Sequence, residues 1–291
     1  MDGMNISTYS DLRRLAQKFA DSQVNLMLLI GRPGLMKTET FKHACRGKPA
    51  LVVSGKKAPL DLYMDLHAHR NQLVVLDDVE PLLDNKDGQV LIRGLTETTE
   101  VKRISWGTRT PILDKKSKPI PRTFTTSSRV CIIANKWRSN GIFEAIESRA
   151  IKFTFTPSWA EVYTEAGKWF HDQEVLDYVY DHIRTMKNPD ARLLKKAVEV
   201  RSLGLRSQDW RAVFDARMES DAIDREIMRL VADTTLTQTE RVTEFEAGGF
   251  GDRATYFRRL KKQRDLQKVS LPDRIIVPAK TQKKKQKVVA R

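Results

Sequence analysis

The chain is poor in cysteine. Cys45 and Cys131 are the only two cysteines among 291 residues, which is too few for a disulfide framework or a cysteine-based metal cluster. Both lie in apolar sequence, so we expect them to be buried free thiols in a reducing compartment. The small disulfide-stabilised secreted domains are thereby excluded as a class.

Long hydrophobic runs are also missing. No apolar stretch approaches the roughly 20 residues that a membrane helix needs, and the first residues lack the basic and then apolar pattern of a secretory signal. We therefore expect a cytoplasmic protein with no membrane partner. An apolar fraction of 40% in 291 residues is enough for one large domain or two modest ones.

Acidic residues are scarce in two segments. Residues 102–129 carry 8 basic residues and 1 acidic residue, and residues 253–291 carry 14 basic and 2 acidic. The formal net charge of the whole chain is +15, so the remainder is mildly acidic. Positive charge that is segregated in this way predicts a polyanionic partner, and nucleic acid is the first candidate.

A glycine-bearing turn, Gly31–Thr38, lies between an apolar run and a polar helical pattern. This order of strand, turn and helix is typical of a phosphate-binding P-loop, in which backbone N–H groups of the turn and the helix N-terminus bind the phosphates. Lys37 would add a positive charge, and the Thr38 hydroxyl would bind Mg²⁺. The residues we predict to bind the nucleotide are Gly31, Pro33, Gly34, Leu35, Met36, Lys37, Thr38 and Glu39.

Met36 occupies the position before the lysine, where a P-loop usually has glycine. If this position needs a positive φ, a non-glycine residue costs about 1–2 kcal/mol, and nucleotide affinity would fall by roughly 5–30-fold. If the methionine instead blocks the approach of the backbone to the phosphates, the site cannot work. The sequence leaves both alternatives open.

A second apolar run, Leu73–Leu76, leads directly into acidic residues. This pattern predicts a central parallel strand whose carboxyl end carries a magnesium site. Asp77 is placed to hold Mg²⁺, and Asp78 or Glu80 could polarise an attacking water. The alternative is a strand that simply ends in an acidic turn.

Five apolar runs predict the strands of a parallel sheet, and helical patterns separate them. From Ser158 onward the pattern predicts only helices, so a domain boundary falls near Pro157. The strands are expected at about 25–30, 50–53, 73–76, 129–135 and 150–155, and the later helices near 158–170, 172–184, 190–202, 207–217 and 221–232.

The two basic segments have different predicted structures. Residues 102–129 predict an inserted β-hairpin with Lys115–Lys118 at its tip. Such a hairpin could face nucleic acid, or it could be a solvated surface hairpin without a ligand. In the second segment a basic helix is expected near 252–265, and the chain beyond Leu271 is expected to be disordered.

Five elements in this order resemble the AAA+ ATPase family over roughly residues 9–232. Gly31–Thr38 resembles the Walker A motif, and Leu73–Asp78 resembles Walker B with Asp77 as the Mg²⁺ ligand. Asn135, after the fourth strand, resembles the sensor 1 residue that orients the attacking water. Two arginines complete the resemblance: Arg149 resembles the arginine finger that reaches a neighbouring subunit, and Arg206, or failing that Arg201, resembles sensor 2.

The resemblance implies a three-layer α/β P-loop NTPase sandwich with strand order 5-1-4-3-2, counting the predicted strands along the chain. The domains would then be a nucleotide-binding domain at 1–157, a helical lid at 158–235 and a basic extension at 236–291. The pair Asp77-Asp78, where many relatives have Asp-Glu, is similar to bacterial helicase loaders and transposition helper ATPases. Aspartate is one methylene shorter than glutamate, so we expect slow hydrolysis.

The family resemblance implies an ATPase that forms homo-oligomeric rings or filaments, with ATP and Mg²⁺ bound at subunit interfaces. We expect it to drive an assembly or remodelling step on nucleic acid, with DNA as the first candidate, through residues 102–129 and 253–291. The alternative is a nucleotide-binding scaffold or switch with little hydrolysis, which recruits a partner through its basic tail. A machine that pulls polypeptide is a third hypothesis, and Trp106 is the nearby aromatic residue that could serve it.

Overall fold

The computed structural model describes residues 3–108, 110–114, 117–138, 141–184, 186–204, 209–217, 222–268 and 271–278. The chain divides into two compact units, Met1–Pro157 and Ser158–Arg291. Within the described parts of the chain, no helix combines the length and the apolar character needed to cross a membrane.

The first unit is an α/β domain. In chain order its elements are β1 (Met4–Ile6), α1 (Tyr9–Ala20), β2 (Leu26–Gly31), α2 (Lys37–Ala44), β3 (Ala50–Ser54), α3 (Pro59–Ala68), β4 (Leu73–Asp77), α4 (Glu80–Leu83), α5 (Lys86–Leu95), β5 (Lys102–Ser105), β6 (Ile112–Leu113), β7 (Pro119–Ile120), β8 (Thr123–Thr126), β9 (Val130–Ala134), α6 (Ile142–Glu147) and β10 (Ile151–Phe155).

A six-stranded parallel sheet in the order β1-β10-β2-β9-β4-β3 forms the centre of this unit. The five strands expected from the sequence lie in the order that the family resemblance implies. β1 is an additional strand at the edge, beside β10. The central strands β2, β9 and β4 are almost entirely buried, as expected of parallel strands covered by helices on both faces.

Helices cover the sheet as two outer layers. Alternate strand residues such as Leu26 and Leu28 belong to one buried cluster with the apolar sides of α3, α5 and α6. The intervening residues face the other way because side chains alternate along a strand. On that side α1 packs on α2, with the rings of Phe19 and Phe41 5.9 Å apart.

The basic insertion contains two antiparallel ladders, β5–β8 and β6–β7. The base of the insertion packs on Tyr63 of α3. The ring of Tyr63 lies 5.3 Å from the ring of Phe124 and 5.9 Å from the ring of Trp106. Trp106 is therefore half-buried and is not an exposed channel aromatic. Lys115 and Lys116, which we predicted to lie at the cationic tip, lie outside the described residues.

We expected the basic residues of the insertion to offer their positive charge to nucleic acid, but Lys102 does not. Its side chain is fully buried, and its Nζ donates a hydrogen bond of 2.7 Å to the carbonyl oxygen of Ser128. Burial and, to a smaller extent, the positive charge of Arg129 together lower the pKa of Lys102 to about 8. This lysine is a structural group of the hairpin base.

The second unit is helical. Its described elements are α7 (Trp159–Ala166), α8 (Gln173–His182), α9 (Arg192–Ser202), a 3-10 helix (Trp210–Arg217), α10 (Ala222–Ala232), α11 (Gln238–Ala247) and α12 (Arg253–Gln267). The sequence prediction lacked α11. α10 packs with α11 and α12 around a shared apolar cluster. The boundary of the lid at residue 235 remains a prediction.

The segment 271–278 differs from the disordered tail that the sequence predicted. The backbone N–H of Ile275 donates to the Tyr163 hydroxyl at 2.8 Å, and the N–H of Val277 donates to Gln173 Oε1 at 2.7 Å. Arg274 forms ion pairs with Asp177 and Asp181 on α8. The segment is ordered because it contacts apolar and charged residues that are distant in the sequence.

Candidate nucleotide-binding site

The turn between β2 and α2 contains two residues in the left-handed region. Gly34 has φ 79° and Met36 has φ 56°. Glycine adopts this conformation at little cost, whereas a side chain is strained there. Met36 is the N-cap of α2. Position 36 therefore has a positive φ, which was the first of the two alternatives that the sequence left open.

Gly31, at the end of β2, lacks a side chain for a different reason. A Cβ atom at this position would lie 2.8 Å from the carbonyl oxygen of Phe155, which pairs with Gly31 across the sheet. Any side chain at this position would collide with the backbone of β10. Phe155 supports the loop in a way that the sequence did not show, since the contact depends on strand pairing.

Lys37 lies at the start of α2 with its side chain buried beneath the loop. Its Nζ donates to the carbonyl oxygens of Gly31 at 2.6 Å and Arg32 at 2.8 Å, and to Asn135 Oδ1 at 3.2 Å. The ammonium group thus joins the turn after β2 to the residue that follows β9. An ammonium held there adds positive charge to the N-terminus of a helix, where anions are favoured.

Thr38 and Asp77 are in direct contact. The Thr38 hydroxyl donates to Asp77 Oδ2 at 2.6 Å, which links the first turn of α2 to the end of β4. Burial raises the pKa of Asp77, the Thr38 hydrogen bond opposes this shift, and the charge of Asp78 adds to it. A hydroxyl and a carboxylate are hard oxygen ligands of the kind Mg²⁺ prefers, together with substrate phosphates and water. The residues present therefore fit a magnesium ion.

Asp78 and Asn135 belong to the hydrogen-bonded group of Lys37. Asn135 Nδ2 donates to Asp78 Oδ1 at 2.7 Å, and the Asp78 carboxylate is exposed. Asp78 has φ 55°, a conformation that aspartate tolerates better than most residues. Its backbone N–H donates to the Ile133 carbonyl, which holds the β4 end against β9.

Glu80, the other predicted water-polarising residue, begins α4 and is half-buried. Burial raises its pKa, and the charges of Asp78 and Asp77 contribute to the shift. Three carboxyl groups thus crowd the end of β4. Such crowding is relieved by a bound cation, which offsets their mutual repulsion.

The remaining loop residues have distinct surroundings. Leu35 is buried in the core, whereas Pro33 is exposed. Glu39 is also exposed and pairs with Lys42 at 3.0 Å on the surface of α2. The structure therefore gives Leu35 a packing contact and Glu39 a helical ion pair, and any contact of these three residues with a nucleotide remains a prediction.

Arg149 lies near the amino ends of the sheet strands, whereas the loop lies at their carboxyl ends. It precedes the amino end of β10, whereas Gly31 ends β2, and β10 and β2 run parallel with Phe155 opposite Gly31. A strand of five residues spans roughly 16 Å. The guanidinium Nη1 of Arg149 lies 3.5 Å from Glu97 Oε1 and donates to the carbonyl of Arg93.

The predicted sensor 2 residue, Arg206, lies outside the described residues. Its fallback, Arg201, is at the end of α9 and pairs with Asp172 and with Glu174, the latter at 2.7 Å. Both carboxylates lie at the start of α8, so Arg201 ties two helices of the second unit together.

The parallel sheet, flanking helices and helical C-terminal region are those of an α/β protein and fit a P-loop fold. No protein-family model matches the chain, and no curated protein matches it. One solved structure that it resembles is Drosophila ORC bound to DNA, with 15% identity, 97% of this chain and 77% of that chain covered, and a TM-score of 0.40. That TM-score is too low for the likeness to bear on fold or function.

Proposed function

We propose that the chain is an AAA+ type ATPase that binds ATP with Mg²⁺ between the turn at Gly31–Thr38 and the ends of β4 and β9. One observation carries the proposal. Two hydrogen-bonded groups, Lys37–Asn135–Asp78 and Thr38–Asp77, lie at the carboxyl ends of β2, β4 and β9. The consecutive residues Lys37-Thr38 and Asp77-Asp78 link the two groups along the chain. A structural turn would not need a buried lysine, an amide and two carboxylates at one point of the sheet.

Each residue has a role that its position supports. Lys37 and the N-terminus of α2 would hold the phosphates, and Thr38 and Asp77 would hold Mg²⁺. The magnesium ion, when bound, supplies charge that stabilises the transferred phosphoryl group. Asp78 would accept a hydrogen bond from the attacking water, with Asn135 orienting the Asp78 carboxylate.

Asp78 fits the water-polarising role better than Glu80 does. The Asp78 carboxylate is exposed and is held by Asn135, whose side chain also contacts Lys37. Glu80 is half-buried in the first turn of α4. We therefore assign Asp78 to the water and Glu80 to supporting the strand end.

Arg149 is proposed to act in a neighbouring copy of the chain. It lies at the amino end of β10, and five strand residues separate it from the loop of its own subunit. A half-exposed arginine that cannot reach its own site can complete the site of a partner. Assembly into a ring or filament would then be required for hydrolysis.

Nucleic acid is the proposed partner of the oligomer. Arg103, Lys118 and Arg122 are exposed on the hairpin insertion, and further basic residues lie on α12. If about eight such residues contact phosphates, the slope of log affinity against log salt concentration should be about −7. Binding that is independent of salt would remove nucleic acid from the proposal.

A phosphate-release assay on the full chain tests the proposal. We expect slow ATP turnover that is lost in Lys37→Ala, Asp78→Asn and Arg149→Ala. Lys18→Ala is the matched control, because Lys18 is an exposed lysine on α1. Mixing the Arg149→Ala and Asp78→Asn proteins should restore part of the activity, since each supplies what the other lacks at a shared interface.

A nucleotide-binding switch with little hydrolysis is the second candidate. The observation that favours it is the pair of left-handed non-glycine residues, Met36 and Asp78, on either side of the site. Such strain is a recurrent feature of switch regions. Nucleotide binding by the wild-type chain without any phosphate release, with or without nucleic acid, would support the switch over the ATPase.

A further inference from the structure

Helices α10, α11 and α12 form a small module with its own core. Their apolar side chains meet in one buried cluster that no residue of α7–α9 enters among the described residues. The ring of Phe245 on α11 lies 5.3 Å from that of Tyr256 on α12, edge to face. The buried members of the cluster are Ile227, Leu230, Val242, Phe245, Tyr256 and Leu260.

Ion pairs fix α10 against the other two helices. Asp224 of α10 is almost fully buried and lies 3.4 Å from Arg259 of α12. Arg229 of α10 pairs with Glu244 of α11 at 3.1 Å. With a shared core and these charge pairs, the three helices hold one geometry, and α12 is presented on a rigid support.

The connection from α11 to α12 is a tight, glycine-rich turn. Gly248 ends α11, and the Asp252 carboxylate accepts a hydrogen bond of 2.8 Å from the N–H of Thr255 in the first turn of α12. Between these caps, Gly249 and Gly251 have φ 74° and 135°, which side chains rarely adopt. Phe250 between them packs on Phe245. A short glycine-containing turn between two packed helices occurs in αα-hairpins and in the helix-turn-helix, so the turn is compatible with the latter.

The outer side of α12 is positively charged. Arg258 and Lys261 are three residues apart and are both exposed, so they share one side of the helix. Within the described parts of the chain, no ion pair neutralises either of them. Tyr256 and Leu260 occupy the opposite, buried side.

The acidic residues beside this face are already engaged. Glu240 accepts hydrogen bonds from Thr237 in a capping box at the start of α11, and Glu244 pairs with Arg229. Glu246 accepts a hydrogen bond of 2.8 Å from the backbone N–H of Arg253.

We propose that α10–α12 is a helix-turn-helix module that places α12 in the major groove of double-stranded DNA. Arg258 would contact base edges, and Lys261 would contact phosphates. The proposal deepens the nucleic-acid part of the proposed function and rests on it. Duplex DNA is favoured over a single strand because the described aromatic side chains of the module pack into its core and offer no exposed platform for base stacking.

The test selects a preferred sequence with the full chain, from a labelled duplex pool with a randomised centre, and measures binding by fluorescence anisotropy. We expect tighter binding to the selected duplex than to an unrelated duplex or to either single strand. Arg258→Lys should reduce the preference by about 5–150-fold while non-specific affinity is kept, because lysine lacks the bidentate fork of arginine.

A second variant separates phosphate contacts from base contacts. Lys261→Ala should weaken binding to both duplexes equally and lower the magnitude of the salt slope by about 1. Lys196→Ala, an exposed lysine on α9, is the matched control and should change neither quantity.

The outcomes distinguish this proposal from the proposed function. If no sequence is enriched, or if Arg258→Lys and Lys261→Ala bind as wild type while Arg103→Ala and Arg122→Ala abolish binding, the helix-turn-helix proposal is overturned. The nucleic-acid partner of the ATPase would then stand through the hairpin. If the chain binds no nucleic acid at all, both are overturned.

Discussion

Replacing Met36 tests how the loop tolerates a methionine where glycine is usual. Met36 has φ 56° at the N-cap of α2, and a side chain in this region costs about 1–2 kcal/mol. Glycine relieves that strain, but it also gives the unfolded chain more conformational freedom. That freedom lowers the free energy of unfolding by about 0.4–1 kcal/mol and so offsets part of the gain. For the backbone alone, the two effects leave a net gain of about 1 kcal/mol.

Met36→Ala supplies the matched comparison. Both variants remove the half-buried methionine side chain, but only alanine keeps the strained Cβ. We therefore expect the free energy of unfolding to be about 1 kcal/mol higher for Met36→Gly than for Met36→Ala, a difference of about 2–4 °C in Tm. Denaturant titration of the two proteins side by side measures it.

The sign of that difference is decisive. If position 36 were right-handed, glycine would be the less stable of the two by roughly 0.5–1 kcal/mol, so a Met36→Ala protein that matches or exceeds Met36→Gly would refute the reasoning. Nucleotide affinity gives a second check. Relief of the strain alone can raise affinity by up to about 30-fold, so a gain well above about 30-fold in Met36→Gly would mean that methionine obstructs the phosphates, against our proposal that the loop works as it is.

Two further predictions concern groups outside the site. In the folded protein the pKa of Lys102 is about 8, below the value of an unfolded lysine, so the unfolded chain binds more protons between pH 8 and about 10.5 and stability should rise with pH there. Chemical denaturation should show this rise in wild type and not in Lys102→Met; equal slopes would contradict it. Arg274→Ala removes the contacts to Asp177 and Asp181, so the amides of Ile275 and Val277 should exchange hydrogen faster, and unchanged exchange would show that Gln173 and Tyr163 suffice.

The central strands were predictable because of where they lie. Residues of β2, β4 and β9 are buried on both faces, so each is a continuous apolar run in the sequence. The edge strand β1, Met4–Ile6, is largely exposed and only 3 residues long, so its pattern carries no periodicity. It forms because β10 offers a free edge, which is a property of the sheet.

The helices of the second unit were predictable to different degrees. α11 buries little more than Val242 and Phe245, so its apolar stripe is weak. The capping box of Thr237 and Glu240 was the local feature that could have revealed it. The order of 271–278 was beyond local patterns, since it depends on Gln173 and Tyr163 more than 100 positions away.

The candidate site was also predictable only in part. Parallel strands present their carboxyl ends at one edge, so the sequence could place Lys37, Asp77 and Asn135 together before any contact was known. The left-handed conformation of Asp78 and the burial of Lys102 could not be predicted, because each depends on a hydrogen-bonding partner set by strand register.

Equilibrium binding of a fluorescent ATP analogue with Mg²⁺ tests the central claim most directly. The wild-type chain and the Lys18→Ala control should bind saturably, and Lys37→Ala should bind about 10–150-fold more weakly, the equivalent of a charged hydrogen bond of about 1.5–3 kcal/mol. Thermal melting of all three proteins would establish that the Lys37→Ala chain is folded. Equal affinity for wild type and a folded Lys37→Ala protein would contradict a nucleotide site at Gly31–Thr38.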